Sequence, residues 1–466
     1  MSQRTLSKKL SSHKPGTLYV GVDLALDHNV AVVLTERAQQ LTRFRFPNER
    51  DGYDYFYRRL ATLQQGHQAP AVLVGLEPTN YYWKLLATDM EQHQPDYRYR
   101  LVNPYTVKKN REGDHLDQSK DDNRDAFTIA DLVRTGKYTE TRLLQAGYAE
   151  LRQYVTLHTR LQKDLRRQKM LINNLAGQLF PELRQVFEDF TGLTAVAMLR
   201  HHAAAVAVKT LSEEAFIASV RADFEGRRLM VSKLRWAHHL AQQSVGLQAG
   251  SKALQLALRL HIDTWQALQQ QLVTADTALA ETFLALPEAP YLLSIPAMSI
   301  VSAATILAEI GDPSHYTNGR QLIKLAGIQP VPNTSGRKTR SQTPMSHKGR
   351  PRLRTALFFA VMRLVRLDRA FAQVYQQLQQ RAKNPLTPMQ ALGALMNKLL
   401  RIVWALIRQA TFYQPDLPAG TSIEPVRGLA RRRFAGGRGD VVTPLLEAHC
   451  DLVVKLDAPR RLAHIE

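Results

Sequence analysis

An α/β domain followed by a mostly helical remainder is the fold class predicted for this chain of 466 residues. Three observations predict it. From Thr17 to Leu132, short apolar, β-branched runs alternate with amphipathic stretches. Near 148–180 and 254–286, apolar residues recur at three- and four-residue spacing over many turns, as in long helices. And 62 Lys and Arg stand against 41 Asp and Glu, a net charge of +21, which points to a polyanionic partner, nucleic acid before others.

Met1 to Lys14 is polar and basic without an apolar centre, so residues 1–16 read as a disordered basic arm. Residues 17–35 (TLYVGVDLALDHNVAVVLT) read as two strands around a turn at Leu26-Asp27-His28-Asn29. Gln40 to Phe46 can add a third strand. Asp51 to Leu63 has Tyr53, Phe56, Leu60 and Leu63 at helical spacing, and Ala71 to Leu76 is a short buried strand ending at Glu77. A helix follows from Asn80, then a strand from Tyr97 to Val102, then a helix through Lys120-Asp121-Asp122-Asn123-Arg124-Asp125-Ala126 to Leu132. The order β-β-β-α-β-α-β-α resembles the RNase H-like fold, here assigned to 17–145.

In that fold the first strand carries an Asp and the fourth ends near a second carboxylate. Asp23 and Glu77 occupy those positions, each following an apolar strand where an unpaired charge would be costly. Asp122 and Asp125 are three apart and share one helix face. Four such carboxylates suit divalent cations, since Mg²⁺ favours oxygen ligands and two metals can clamp a phosphodiester. The pair also fits a solvated helix start, and the strand-end acids could simply face solvent. Asp114, Asp117 and Asp121, in the charged loop from Lys108 to Lys120, are competing ligands that precede the apolar helix.

Residues 146–288 read as a helical, coiled-coil arm with a small helical insert. Leu151, Tyr154, Leu161, Leu165, Ile172, Leu175 and Leu179 form the stripe of a first long helix, with His158 and Gln168 in its polar slots. A second carries Trp265, Leu268, Leu272, Ala275, Leu279 and Phe283 and can pair with it antiparallel. Between them, Ser212 is the expected cap of an insert helix. Residues 289–415 form a further helical domain. Its 291–312 stretch resembles a helix-hairpin-helix element, and a short helix ends at Gly327. Two polar, basic loops follow, Val331 to Arg340 and Ser346 to Arg354. Arg337, Lys338, Arg340, Lys348, Arg350, Arg352 and Arg354 make phosphate contact the expectation there. An apolar helix then runs from Thr355 to Leu367. Residues 416–466 read as a basic tail.

With both halves in view, the chain resembles the DEDD transposases of the IS one-ten family of insertion sequences, which include pilin-gene invertases and bridge-RNA-guided recombinases. The N-terminal match is Gly21-Val22-Asp23, Gly75-Leu76-Glu77-Pro78-Thr79 and the heptad Lys120 to Ala126, where the family pattern is Lys-Thr-Asp-x-x-Asp-Ala. The C-terminal match is Ser294-Ile295-Pro296 through Ala308-Glu309-Ile310-Gly311-Asp312, Leu325-Ala326-Gly327-Ile328-x-Pro330, Ser335-Gly336 and Ser346-x-Lys348-Gly349-x-x-Arg352-Leu353-Arg354. The similarity runs from about 17 to 412. Asp121 replaces the usual Thr. Ile295-Pro296-Ala297-Met298-Ser299 stands where members usually have Ile-Pro-Gly-Ile-Gly, which restricts the hairpin backbone.

The resemblance implies a RuvC-like domain whose Asp23, Glu77, Asp122 and Asp125 bind Mg²⁺, with Mn²⁺ able to substitute, and a C-terminal transposase domain in which Ser335 is the nucleophile. It implies strand exchange on double-stranded DNA through a covalent serine–phosphate, a noncoding guide RNA in the RNA-guided members, and dimers assembling to a tetramer. Thr334, Ser341 and Ser346 are fallback nucleophiles. Competing readings are a metal-dependent RuvC-like nuclease using water, a protein-guided DNA invertase, and a non-catalytic nucleic-acid-binding protein. No signal peptide or run of 18 apolar residues is found, so no membrane is expected. The single cysteine, Cys450, excludes intrachain disulfides and Cys-based zinc sites and fits a reducing prokaryotic cytoplasm, at the nucleoid.

Overall fold

Five strands form one sheet in the computed structural model: β1 (Leu18–Asp23), β2 (His28–Leu34), β3 (Gln40–Pro47), β4 (Val72–Leu76) and β5 (Arg98–Leu101). The structure describes residues 3–414, except 95, 115–121, 141–142, 223, 225–227, 297, 332–333, 336–337 and 340–342. The spatial order is β3-β2-β1-β4-β5. β1 pairs antiparallel with β2 and parallel with β4, so Gly21 faces Val32 on one side and Gly75 on the other.

Helices cover both faces of the sheet, which is why its central strands read as continuous apolar runs. On one face Val20, Val22, Val74 and Leu76 pack with Phe56 and Leu60 of α2 (Arg50–Gly66) and with Leu86 and Met90 of α3 (Tyr82–His93). On the other, Tyr19, Val32 and Leu73 pack with Ala126, Ile129, Ala130 and Val133 of α5 (Asp122–Arg134). Before α5 comes α4 (Pro104–Asp114). The expected loop from Lys108 is therefore helical as far as Asp114, and its remainder to Lys120 lies outside the described residues.

Two glycines set how closely α5 approaches. A Cβ built on Gly21 would lie 2.0 Å from the Ala126 carbonyl oxygen, and one on Gly75 would lie 2.6 Å from the Val133 side chain. The helix backbone thus rests directly on β1. Its direction follows from the far end, where Arg134 Nη1 donates to the Glu36 carbonyl at 3.2 Å. Glu36 lies just beyond β2, beside the start of β1, because Leu34 pairs with Tyr19. So α5 runs antiparallel to β1, and its first turn lies at the Asp23 end.

The expected disordered arm is corrected: Gln3–Leu10 forms helix α1. Leu6 and Leu10 pack over Gly136, where a Cβ would lie 3.0 Å from Leu6 Cδ1. Lys9 Nζ donates to the Tyr138 carbonyl, and His13 lies 3.0 Å from the hydroxyls of both Tyr19 and Tyr138. Two leucines at i, i+4 and one histidine anchor a segment whose composition otherwise resembles a solvated tail.

The chain divides into two compact units, Met1–Leu143 and Leu144–Glu466. The second is built on two 34-residue helices, α6 (Ala146–Leu179) and α11 (Ser251–Leu284), packed antiparallel. The polar slots read in the sequence are the rungs of this pair. His158 Nδ1 meets Asp276 Oδ1 at 2.5 Å, and His261 Nδ1 meets Gln168 Oε1 at 2.8 Å. Leu161, Leu272 and Ala275 are buried between them.

At one end the pair joins the insert, α7 (Leu193–His201), α8 (Ala205–Lys209), α9 (Glu213–Ala222) and α10 (Val231–Ala241), around Phe180, Phe187 and Phe216. Ser212 caps α9, accepting from the Ala215 N–H at 3.2 Å. At the other end Leu151, Val155, Leu279 and Phe283 share one core with α12 (Ala289–Leu293), α13 (Ile300–Ile310), α14 (Gly319–Ala326), α15 (Pro351–Leu367), α16 (Arg369–Gln380) and α17 (Pro388–Gln409). Segments 146–288 and 289–415 therefore belong to one compact unit. Among the described residues α17 is the one helix long and apolar enough to cross a membrane, and its Leu395, Leu399, Leu400 and Val403 lie in this core.

Replacing Gly21 by Ala should destabilise the N-terminal unit by about 3 kcal/mol, since backbone rather than a flexible side chain fills the space. Gly66→Ala, with nothing within 4 Å, should change stability by less than about 0.5 kcal/mol. Chemical denaturation of both variants reads the difference.

Candidate active site and nucleic-acid interface

Asp23 ends β1, and Glu77 directly follows β4, beside it in parallel register. Pleat alternation carries both onto the face of Gly21 and Gly75, which is the face covered by α5. Asp122 and Asp125 form the first turn of α5 at that same end, one exposed and one buried at 6% accessibility. The sheet edge and the helix start thus bring four carboxylates to one edge of the N-terminal unit. Among the described residues no three His, Cys, Asp or Glu side chains are close enough to hold a metal ion. The donor set therefore fits a hard divalent cation by its oxygen chemistry and common edge, while its ligands are not drawn into one sphere. Asp117 and Asp121 lie outside the described residues, as does the side chain of Asp114.

A residue not singled out from the sequence braces this edge. Asn29 is fully buried on β2 and accepts from the Ala25 N–H at 3.1 Å, fixing the turn that follows Asp23. Its Nδ2 has no hydrogen-bond partner among the described residues. The sequence signal was available, since an Asn opening an apolar strand is a turn-capping residue.

In the second unit the first expected basic loop carries both strands of one antiparallel ribbon, and the second begins at the ribbon's base. Ser346 N–H donates to Gln329 O at 3.0 Å and Val331 N–H to Pro344 O at 2.9 Å, and Pro330 bridges Met345. Further out, β6 (Thr334–Ser335) pairs with β7 (Lys338–Thr339), Ser335 facing Lys338. Ser335 thus lies next to the ribbon's two-residue connection. The side chains of Ser335, Arg337, Lys338 and Arg340 lie outside the described residues.

The base of the ribbon is locked by glycine and arginine. Gly327 ends α14 at φ +68°, and a Cβ on Gly349 would lie 2.3 Å from its nitrogen. Helix α15 begins at Pro351 rather than Thr355, so Arg352 and Arg354 are helical. Arg354 Nη1 donates to Ala326 O at 2.9 Å. Arg350 and Arg352 reach the buried Glu309 of α13 at 3.6 and 3.3 Å, and Arg352 also donates to Thr156 Oγ1 at 2.8 Å. Arg152 of α6 donates to Ala308 O at 2.8 Å and Glu309 O at 3.2 Å. Burial, with Arg350 beside it, pushes the Arg152 guanidinium down to about 10. Three of the expected phosphate contacts therefore have partners within the fold. Lys348 is exposed, with no side-chain partner among the described residues. Arg152 and Glu309 were missed as a hub because each reads as one more member of its helix.

Two family models match this chain. A DEDD transposase model of IS110 type covers residues 20–181, and a model of IS116/IS110/IS902-family transposases covers 289–376, together more than half of the chain. The chain belongs to the IS110 transposase family. The IS110 insertion-element protein of Streptomyces coelicolor is 24% identical over 66% of this chain and 75% of its own. The IS116 protein of Streptomyces clavuligerus is 24% identical over 86% of this chain and 97% of its own. A pilin gene-inverting protein of Moraxella bovis is 32% identical over 26% of this chain and 37% of its own. This IS110-family transposase is thus a DNA transposase/recombinase that acts on DNA, and its DEDD domain points to dependence on a divalent metal.

Glu309→Ala should destabilise the second unit by about 2 to 3 kcal/mol, because it leaves partly buried arginines without their shared carboxylate. Glu309→Gln should recover part of the loss. Urea denaturation of the full chain checks both.

Proposed function

We propose that this IS110-family protein excises and inserts its own element by site-specific strand exchange on double-stranded DNA, with Ser335 as nucleophile and a noncoding RNA of the element as guide. The observation that carries the reading is the glycine-seated approach of α5, which sets the helix turn of Asp122 and Asp125 at the strand ends bearing Asp23 and Glu77 in a sheet of order β3-β2-β1-β4-β5. These four residues would hold Mg²⁺ or Mn²⁺. When bound, the metal supplies charge neutralisation at the reacting phosphate.

The serine step balances as an ester exchange. Ser335 Oγ bonds to phosphorus, a P–O bond of the DNA breaks, and the released DNA hydroxyl takes up a proton equivalent to the one serine loses. Attack by another strand's hydroxyl reverses the exchange and frees the serine. The position of Ser335 on a two-stranded ribbon, opposite Lys338, supports this role, because a major groove admits such a ribbon. Arg337, Lys338, Arg340 and Lys348 would track phosphates, while Arg350, Arg352 and Arg354 would hold the ribbon's base. The protein would act in the bacterial cytoplasm, as a homo-oligomer built from dimers. The pilin gene-inverting relatives of Moraxella favour a second reading, inversion of a DNA segment, which we infer would be guided by the protein itself.

The test is covalent trapping with co-expressed element RNA, element-end DNA and target DNA on denaturing gels. Wild type with Mg²⁺ should give an adduct. Ser335→Ala should abolish it. Asp122→Asn, Asp125→Asn or EDTA should each reduce it on the order of 10³-fold, the scale of several kcal/mol of lost charge stabilisation. Nicking without adduct, equal in wild type and Ser335→Ala, would make water the nucleophile. An adduct formed without added RNA would favour the protein-guided reading.

A further inference from the structure

Helix α15 buries Leu353, Leu357, Ala360, Val361 and Leu364 in the core. Phe359, Met362, Arg363 and Arg366 follow i, i+3, i+4, i+7 spacing and lie together on another stripe. With Ser302 of α13 they line an open cavity of about 410 Å³. Phe359 is 55% exposed, its ring braced edge-on by Phe358 at a 5.6 Å centroid distance. An aromatic face left open beside two guanidinium groups is not explained by packing.

Arg363 is held in place without a counter-charge among the described residues. Arg363 Nη2 donates to Ser302 Oγ at 2.5 Å and its Nε to Phe359 O at 3.3 Å. Ser302 is itself fixed, because Ser299 Oγ donates to its hydroxyl at 2.9 Å. Arg366 is exposed, and neither arginine has an acidic partner among the described residues. Burial pushes the Arg363 guanidinium below its usual range, as expected of a cation lacking a carboxylate.

We propose that this cavity binds one nucleotide of a single-stranded nucleic acid, the base stacked on Phe359 and the phosphate held by Arg363 and Arg366. Stacking on an aromatic face tolerates any base, and two arginines supply the planar donors that phosphate oxygens accept. The charge favours a polyanion over an apolar peptide. The proposal goes beyond the recombinase reading and involves neither the carboxylates nor Ser335.

The full-length protein in EDTA is photocrosslinked to short 5-iodouracil-containing single strands, DNA in one arm and RNA in the other. Tryptic peptides are then mapped, and affinity is read by fluorescence anisotropy. A crosslink in the peptide Thr355–Arg363 is expected, and the arm that gives it tells the source of the strand. Phe359→Ala and Arg366→Gln should each weaken binding roughly ten-fold, while Phe359→Trp retains it. Both side chains are exposed, so a thermal melt should be unchanged. Crosslinks confined to other peptides, or wild-type affinity in both variants, would overturn the site. Because no metal is present, loss of the recombinase reading would leave this result standing.

Discussion

The contact on which the N-terminal unit depends is backbone against backbone. Helix α5 rests on β1 at Gly21 and on β4 at Gly75, two glycines in register on adjacent parallel strands. Any side chain there would lift the helix by roughly the radius of a methyl group, and its first turn would leave the strand ends. The same seat makes the strands read as uninterrupted apolar runs, places Asp125 in the interior and points the helix N-terminus at the acids. Packing and electrostatics are here one constraint: the helix that completes the core also delivers the charges.

The second unit solves a different problem, fixing the base of a narrow ribbon against a helical core. One carboxylate, Glu309, serves two arginines from the ribbon's base while a third, Arg152, caps the carbonyls at the end of α13. A hub with more cations than anions is a poor source of stability by itself. Its value is geometric, because guanidinium forks fix orientation as well as distance. Gly349 against Gly327 then lets the two legs meet without a spacer.

Much of this was legible in the sequence. Short apolar, β-branched runs marked the strands from Val20 to Leu101, the 3/4 stripes marked α6 and α11, and Ser212 marked its cap, because each signal is local. The four acids stood out as candidates only through their order along the chain. What escaped was decided by distant partners. Helix α1 is anchored because Leu6, Lys9 and the nearby His13 find Gly136 and Tyr138 more than a hundred residues away. The ribbon looked like two loops, since its pairing spans a connection rich in Gly, Arg and Lys. Arginines that seem poised for phosphate in a one-dimensional reading were already engaged with Glu309 and Ala326.

The two polar rungs between α6 and α11 have a consequence for measure. Each helix of 34 residues extends roughly 50 Å at 1.5 Å per residue. Apolar contacts alone would allow the pair to slide by a turn at small cost, as leucine can replace leucine. His158 with Asp276 and His261 with Gln168 cannot be exchanged that way, for a slip strands four polar groups at once. The pair is a ruler with two engraved marks, and the distance between its insert and the core at its other end is therefore a fixed length written in the chain.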